Sequence, residues 1–464
     1  MGTLGASLNI AVGAMLAEQD ALSTTSNNIA NANTPGYSRQ TVDLAEVSPV
    51  PYGGLLVGDG VQVQQIVSQS SSLLQTQLDQ QTQQQSKYNS YLGAMQQAQT
   101  LFNETSGTGL QSSMTAFFNS LQQLSTSPSN TSLRQGVLSA AQNMAQAFSS
   151  TAASLVSQQR SVDASVTQSV SQVNSLTAQI AQLNEQVSYA NSTGQNAGTY
   201  VDQRDQLINQ LSGLIDVSEI PAGEGSLTLT TTGGANLVVG NQSFQLTTQA
   251  DPTTGFQQVL SQGANITSTI TGGALGGDIQ ARDTTIPGVL SSLDALASGL
   301  ETSINSVNQA GTDLNGAPGG NFFVPPPAGG TGAALQMSVA LTDPSQIAAS
   351  LDGSTGDNSN LTAMLNVQNQ NIVGGETPLN AYSNLVFQIG NEVSTAQSEA
   401  SGSQAQIQQI QNQIGSISGV NINEEAANLI QYQQAYEAAA QVAGVINSLT
   451  ATAINLGQTT TVSS

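Results

Sequence analysis

The chain has 464 residues, a formal net charge of −23, and neither cysteine nor histidine. Its length allows about two to four domains, but only 8% of the residues are charged and 4% aromatic, so packing must rely largely on aliphatic and small side chains. The missing residue types exclude disulfides, thiolate or imidazole metal sites and Ser-His or Cys-His catalysis. The acidic balance disfavours binding of nucleic acid or of an anionic membrane surface.

The N-terminal segment has the periodicity of an amphipathic helix. Leu8, Met15, Leu22 and Ile29 recur at every seventh residue, which predicts a seam for another helix. Beyond Ile29 an Asn-rich stretch leads to Pro35, which lacks a backbone donor and disfavours helical geometry in the residue before it. The helix is therefore expected to end within residues 26–40.

The segment from 41 to 217 is predicted to be mostly helical after a short region of loop and strand at 41–67. A Gln-rich helix is expected from about residue 70, and the longest helical pattern covers 131–189. The second half of this long pattern places apolar residues at alternating spacings of four and three, which predicts a coiled-coil seam.

The pattern changes between residues 218 and 280, where short alternating apolar runs are separated by Gly-rich turns. This pattern predicts a small β domain inserted between two parts of a helical domain. The glycines at 272–277 are interpreted as a return turn; they lack the Gly-Lys-Ser/Thr ending of a phosphate-binding loop. Helical patterns follow at 286–309 and at 379–417.

The last predicted helix begins near Asn423, a favourable N-cap, and stops near Gly457. Its apolar residues recur at spacings of three and four, which predicts a second seam that matches the first. The seam residues are Leu429, Tyr432, Ala435, Ala439, Val442, Ile446, Leu449, Ala453 and Leu456. These small side chains bury too little area to order an isolated helix, so both termini are expected to fray in the monomer and to fold when seams of neighbouring subunits meet.

Residues 26–40, SNNIANANTPGYSRQ, have a simple interpretation as a helix end followed by a Pro-Gly turn. The whole string nevertheless resembles the signature of bacterial flagellar rod, hook and hook-associated proteins, and GYSRQ is similar to the hook-associated subgroup. The segment at 201–217 and the C-terminal string at 421–449 resemble the same subgroup. The motif residues carried over from this resemblance are Asn27, Asn28, Ile29, Asn31, Asn33, Pro35, Gly36 and Tyr37.

The resemblance implies a structural subunit that joins the flagellar hook to the filament by helical self-assembly through its terminal helices. The implied fold is mainly α with a small inserted β domain, in which long helices and coiled-coil-like terminal helices form a nested multi-domain rod. The implied parts are an inner terminal-helix domain from 1–40 and 421–464, a helical rod from 41–217 and 281–420, and an outer β domain from 218–280.

The resemblance also implies partners and a location. The partners are other copies of the chain, the hook protein on one side and a second junction protein toward the filament. The implied location is the extracellular flagellum, reached by export without a cleaved signal peptide. Since the C-terminal helix would expose an apolar face before export, we also expect a cytoplasmic export chaperone to cover it.

Two other classes of function remain open from the residues alone. A secreted coiled-coil surface or adhesin-like protein would explain the low charge, although it would not require both terminal motifs. An enzyme would need a carboxylate pair, and Asp202 with Asp205 or Glu424 with Glu425 are the nearest candidates. We interpret both pairs as solvated helix faces and predict no catalytic residue, no cofactor, no metal site and no membrane insertion.

Overall fold

The computed structural model describes residues 2–52, 55–104 and 109–459, with the backbone alone at 2, 3, 52, 55, 57 and 456–459. Its α-helices are α1 (Gly2–Asn31), α2 (Ser72–Thr100), α3 (Leu110–Ser125), α4 (Thr131–Ser192), α5 (Gly198–Ser212), α6 (Gly273–Gln280), α7 (Ile286–Ala310), α8 (Ala333–Gln336), α9 (Ser359–Asn366), α10 (Pro378–Ser418) and α11 (Ile422–Thr459). Its strands are β1 (Gln40–Glu46), β2 (Val50–Tyr52), β3 (Leu55–Val57), β4 (Val61–Ser68), β5 (Ser218–Pro221), β6 (Leu227–Thr230), β7 (Asn236–Val239), β8 (Gln242–Ser243), β9 (Leu246–Ala250), β10 (Gln257–Ser261) and β11 (Ala264–Asn265). The predicted class, mainly α with long helices and a small β part, is confirmed.

The larger hydrophobic core lies among α2, α3, the first half of α4, and α7 to α10. Helices α2 and α10 run antiparallel, because the Tyr91 hydroxyl donates to Glu392 at 2.8 Å and the Tyr382 hydroxyl donates to Glu104 at 2.7 Å. Four phenylalanines fill the centre of this core, with ring centroids 5.0–6.0 Å apart along the contacts between them: Phe117, Phe118, Phe322 and Phe323. Such pairs add to the stabilisation that area burial alone gives.

The second core lies between the second half of α4 and two small antiparallel sheets, with α5 and α6 at its side. The sheets have the strand orders β5-β6-β7-β8 and β11-β10-β9. Strands 218–265 thus share one hydrophobic core with the helices that flank them. The seam predicted at 162–187 is indeed the buried face of this part of α4. The predicted partner was wrong, because a coiled coil needs a second long helix and this face is covered by sheets and short helices.

Residues 273–277 of the Gly-rich segment are helical and Gly272 is the extended residue before them, so the interpretation of the whole segment as a turn was wrong. It forms most of α6, which packs closely on α2. A Cβ atom at Gly277 would lie 2.2 Å from the Lys87 carbonyl oxygen, and one at Gly276 would lie 2.7 Å from the Thr271 carbonyl carbon. The glycines are therefore required by close approach of backbones, a demand that tertiary packing sets and local sequence does not reveal.

The third part consists of α1, α11 and the hairpin formed by β1 and β4. Helix α1 ends as predicted, at Asn31, and packs along α11 and against the hairpin. A Cβ at Gly13 would lie 3.0 Å from the Val61 carbonyl oxygen, so the hairpin approaches α1 closely there. None of the described α1 or α11 side chains belongs to the two cores above. Within the described parts of the chain, no helix has both the length and the apolar character needed to cross a bilayer.

Candidate assembly site

The end of α1 turns sharply into β1. The Thr34 amide donates to the Asn31 carbonyl at 2.9 Å, and the Tyr37 amide donates to the Thr34 carbonyl at 3.2 Å. Pro35 and Gly36 occupy the two central positions of this second turn, and Gly36 has a φ of 74°. Proline followed by a residue with positive φ is the combination that a type II turn requires. The simple interpretation, a helix end and a Pro-Gly turn, is therefore correct as far as it goes.

The side chain of Asn28 connects this turn to the C-terminal helix. Its amide nitrogen donates to the Gln40 carbonyl at 2.8 Å and to a Glu425 carboxylate oxygen at 3.1 Å. Its oxygen accepts from the Gln40 amide at 2.9 Å and from the Tyr37 hydroxyl at 2.8 Å. Asn28 is 1% exposed and uses all four of its hydrogen-bonding positions. We call Asn28, Tyr37, Ser38, Gln40 and Glu425 the Asn28 junction.

The Asn28 junction also contacts α5 and the end of α10. The Ser38 amide donates to an Asp202 carboxylate oxygen at 2.9 Å, and the Gln206 side-chain amide donates to the Pro35 carbonyl. The Arg39 amide donates to the Ser418 carbonyl at 2.9 Å. The interpretation of Asp202 as part of a solvated helix face was wrong, because this side chain is buried and holds the start of the hairpin. The pair formed by α1 and α11 is thereby attached to the rest of the molecule.

The electrostatic environment of Tyr37 keeps its phenol protonated, so that it can donate a hydrogen bond to Asn28. Its burial, together with the nearby carboxylates of Asp202 and Glu425, raises the pKa of the Tyr37 phenol to about 12. Burial also raises the pKa of the Asp202 carboxyl, and the hydrogen bond from Ser38 opposes this shift. An exposed ion pair between Arg39 and Glu424, at 3.4 Å, lies beside the Asn28 junction and contributes little by itself.

The other predicted motif residues differ in their exposure. Asn27, Asn33, Pro35 and Gly36 are exposed, whereas Ile29 and Asn31 are half-buried. A Cβ atom at Gly36 would collide with the Gln206 side chain, so that position is limited both by its φ and by space. Only Asn28 among the predicted asparagines is buried, and nothing in the local pattern distinguishes it from its neighbours.

The N-terminal seam is rotated from its predicted position. Leu8, Met15, Leu22 and Ile29 are half-buried. The buried residues of α1 are smaller: Ala11, Ala17, Ala21, Thr24, Thr25 and Asn28. The difference arises because α1 contacts the hairpin as well as α11, so its covered face is wider than a single seam.

The C-terminal seam is partly as predicted. Ile446 is buried at 7% exposure, and the covered face continues through half-buried residues at Leu429, Tyr432, Ala435, Tyr436, Ala439, Ala443, Thr450 and Ala453. Val442 and Leu449 were predicted to lie in the seam, but they are 52% and 51% exposed. Helix α11 has a wider apolar surface than one seam uses, and α1 covers the flank that includes Ala443. The Leu456 side chain lies outside the described residues.

The two terminal helices pack on each other within one chain. Helix α1 runs toward the Asn28 junction and α11 runs away from it, so the pair is antiparallel. The expectation that these seams meet only between neighbouring subunits was therefore wrong, and both helices are folded in the single chain. Asn421, rather than the predicted Asn423, caps α11, since its side chain accepts from the Asn423 amide at 3.1 Å.

Comparison with known proteins places this arrangement in a family. The chain is 30% identical to flagellar hook-associated protein 1 of Bacillus subtilis, over 95% of this chain and 96% of that protein. The chain belongs to the flagellar hook-associated protein 1 family. Proteins of the same name from Salmonella typhimurium and Escherichia coli are each 28% identical, over 97% of this chain and 99% of theirs.

Family and structure comparisons agree with this assignment. Residues 95–323 match the flagellar hook-associated protein FlgK helical domain, residues 8–37 match the flagella basal body rod protein family, and residues 412–456 match the flagellar basal body rod FlgEFG protein C-terminal family. The structure of the flagellar hook junction protein FlgK from Burkholderia pseudomallei has the same fold, with a TM-score of 0.67 and 20% identity over 74% of this chain and all of that one. As a member of this family, the chain is a structural, extracellular component of the bacterial flagellum.

Proposed function

We propose that this chain joins the flagellar hook to the filament by assembling with copies of itself through the outer faces of α1 and α11. The observation that carries this proposal is a set of large apolar side chains on the terminal helices that the single chain leaves at least two-fifths exposed. They are Val12, Leu16, Ile422, Ile430, Val442, Val445, Leu449 and Ile454.

Three of these residues form a continuous flank. Val442, Val445 and Leu449 follow at spacings of three and four, so they lie on one side of α11. Each is exposed by more than half, beside a seam that α1 already covers. Contiguous apolar surface of this kind marks an interaction site in a soluble protein. A neighbouring subunit that covers this flank would gain about 1 kcal/mol or more for each side chain it buries.

In this proposal the terminal helices, 1–40 and 421–464, build the inner part of the assembly. The rod segments, 41–217 and 281–420, surround them, and the β segment, 218–280, faces outward. The hook protein contacts the assembly below and a second junction protein contacts it toward the filament. The chain is exported without a cleaved signal peptide. Before export, a cytoplasmic chaperone covers α11. The chain acts by assembly and performs no catalysis. The two buried acidic residues that contact the motif, Asp202 and Glu425, have a positioning role.

The alternative of an adhesin-like surface protein is not favoured, because the similarity to hook-associated proteins extends over nearly the whole chain, including both terminal helices. A surface protein would have no need to keep the N-terminal and C-terminal segments joined through one buried asparagine.

The test is a charged substitution on the exposed flank. Leu449→Asp should leave the monomer's circular dichroism and thermal unfolding unchanged, because the side chain has few contacts in the single chain. Secretion should continue, while hooks carry no stable filament and cells stop swimming. Gln441→Asp changes an exposed polar position of the same helix and should swim normally. Normal swimming of Leu449→Asp would contradict the proposed contact.

A further inference from the structure

A second polar cluster lies where α2, α5 and β5 meet, next to the Asn28 junction. Asp79 comes from α2, Asp202 and Asp205 from α5, and Glu219 from β5, while Arg204 supplies the single positive charge. Asp79 is 2% exposed and Arg204 is 5% exposed. Four carboxyl groups around one guanidinium cannot all be compensated by ion pairing.

The two oxygens of Asp79 have different surroundings. One accepts a hydrogen bond from the Asn209 side-chain amide at 2.7 Å. The other is buried and has no hydrogen-bond partner. The Glu219 carboxyl lies within hydrogen-bonding reach of Asp79. Two ionised carboxylates cannot donate to each other, so this contact becomes a hydrogen bond only when one of them carries a proton.

The hydrogen bonds of the Arg204 guanidinium go to groups other than Asp79 and Glu219. One terminal nitrogen donates to the Gly225 carbonyl at 2.8 Å and to the Asn184 side-chain oxygen at 3.2 Å. Its Nε atom lies 3.7 Å from an Asp205 oxygen, too far for a hydrogen bond. Arg204 therefore fixes the loop before β6 and the face of α4, and it leaves the orphaned oxygen of Asp79 unsatisfied.

We propose that Asp79 and Glu219 share one proton in the folded protein at neutral pH, and that this proton fastens α5 to α2 and β5. Loss of the proton would leave two carboxylates in contact, that of buried Asp79 and that of half-buried Glu219, and their repulsion would loosen α5. Because α5 also carries Asp202 and Gln206, which hold the turn at the end of α1, the attachment of the terminal helices becomes dependent on pH. This inference concerns the single chain and does not depend on the proposed assembly.

The occupant that fits this site is a proton. Within the described residues, no group of three or more acidic side chains is arranged to hold a metal ion. Consistent with this geometry, burial raises the pKa of Asp79 to about 8, and burial also raises the pKa of Glu219.

The charges around Asp79 and Glu219 affect how easily both carboxyls can be ionised together. Asp205, whose pKa burial raises to about 7, faces the pair from α5 and disfavours a second negative charge, whereas Arg204 favours the ionised form of Glu219. Helices α6 and α10 also pack on α2. Asp278 of α6 and Glu392 of α10 bind Ser90 and Tyr91, about three helical turns farther along, and Glu399 of α10 is exposed.

The sign of the effect follows from proton binding. Between the ordinary pKa of a carboxyl, 3.8 for aspartate, and the raised value of about 8, the folded chain retains a proton that the unfolded chain has lost. Stability contributed by the pair is therefore largest at acid pH, decreases as the pH rises through this window, and stays low above it.

The decisive variant is Asp79→Asn in the full chain. An asparagine keeps the acceptor for Asn209 and supplies an N–H toward Glu219 without a titratable proton. Hydrogen exchange, corrected for the intrinsic rate, should show that α5 of the unmodified chain loses protection between about pH 6 and about pH 9. In Asp79→Asn, this loss of protection should be much smaller, and the remainder belongs to Asp205 on α5, whose pKa burial raises to about 7. An undiminished loss of protection in this variant would overturn the proposal.

Controls separate the pair from other titrating groups. Glu301 on α7 also has an unpartnered buried oxygen, and burial raises its pKa to about 8, so the global unfolding temperature alone would not isolate α5. Asp251→Asn, at an exposed turn, should leave the pH response of α5 unchanged. Glu219→Gln offers the same hydrogen bond from the other side. If Asp79→Asn fails to fold, this variant must reduce the pH response in the same way, and an undiminished response would refute the shared proton.

Discussion

The substitution Ile446→Asp probes whether α11 is held by α1 within the single chain. Ile446 is the most completely buried apolar side chain among the described residues of α11. Losing its burial removes about 1.5–3 kcal/mol, and placing an unpaired carboxylate there adds a similar penalty, for a total of about 3–6 kcal/mol. Since 1.4 kcal/mol corresponds to a factor of ten, the opening of the helix pair should become more frequent by about two to four orders of magnitude.

The effect should remain local. The two hydrophobic cores contain no described residue of α1 or α11, so the main unfolding temperature should not change. Hydrogen exchange followed by mass spectrometry should show α1 and α11 exchanging much faster in Ile446→Asp than in the unmodified chain, while α2 to α10 keep their protection.

A matched control lies one turn earlier on the same helix. Val442→Asp introduces the same charge at a side chain that is 52% exposed, and it should leave the exchange of both terminal helices unchanged. Two results would contradict the pairing of α1 with α11 outside the main core. An unfolding temperature lowered by many degrees would mean that α11 belongs to the main core, and free exchange of both helices in the unmodified monomer would mean that they do not pair within one chain.

Three further substitutions test the contacts that position the terminal helices and the cores. Asn28→Asp removes two donated hydrogen bonds and faces a carboxylate of α11, so the terminal pair should open by about 2–4 kcal/mol in exchange measurements, whereas exposed Asn27→Asp should have little effect. Gly277→Ala would bring a Cβ against the Lys87 carbonyl oxygen and should lower the unfolding temperature; an unchanged value would show that α6 can move away. Arg134→Met leaves buried carbonyl oxygens without their donor and should destabilise the fold by about 3 kcal/mol in denaturant titrations, while an equal midpoint would contradict this role.

The sequence predicted the terminal helices and the long α4 well, because their periodicity extends over many turns and their ends carry strong signals such as Pro35. It could not predict which flank of α11 would be covered. Val442 and Ala443 are both apolar, and only the position of α1 decides that Ala443 is turned inward. The buried face of α1 could not be predicted for the same reason. The hairpin covers residues of α1 that do not belong to its heptad pattern.

The sequence predicted which residues form the site, but the role of each residue became clear only from the fold. Asn28 looks like its neighbours in sequence, yet it alone lies between β1 and the start of α11. Asp202 was predicted to be solvated because charged residues on helices usually face solvent. It is buried instead, because it accepts a hydrogen bond from the backbone amide of Ser38, 164 positions earlier in the chain. Contacts of such long sequence separation leave no periodic signal.

Electron cryomicroscopy of purified hooks after addition of the full chain would show directly whether the chain assembles at the hook–filament junction through the outer faces of α1 and α11. We expect a cap of the added protein on the hook tip, with α1 and α11 lining its inner wall and Val442 and Leu449 buried against the next subunit. Absence of binding, or a cap in which this flank of α11 faces solvent, would contradict it.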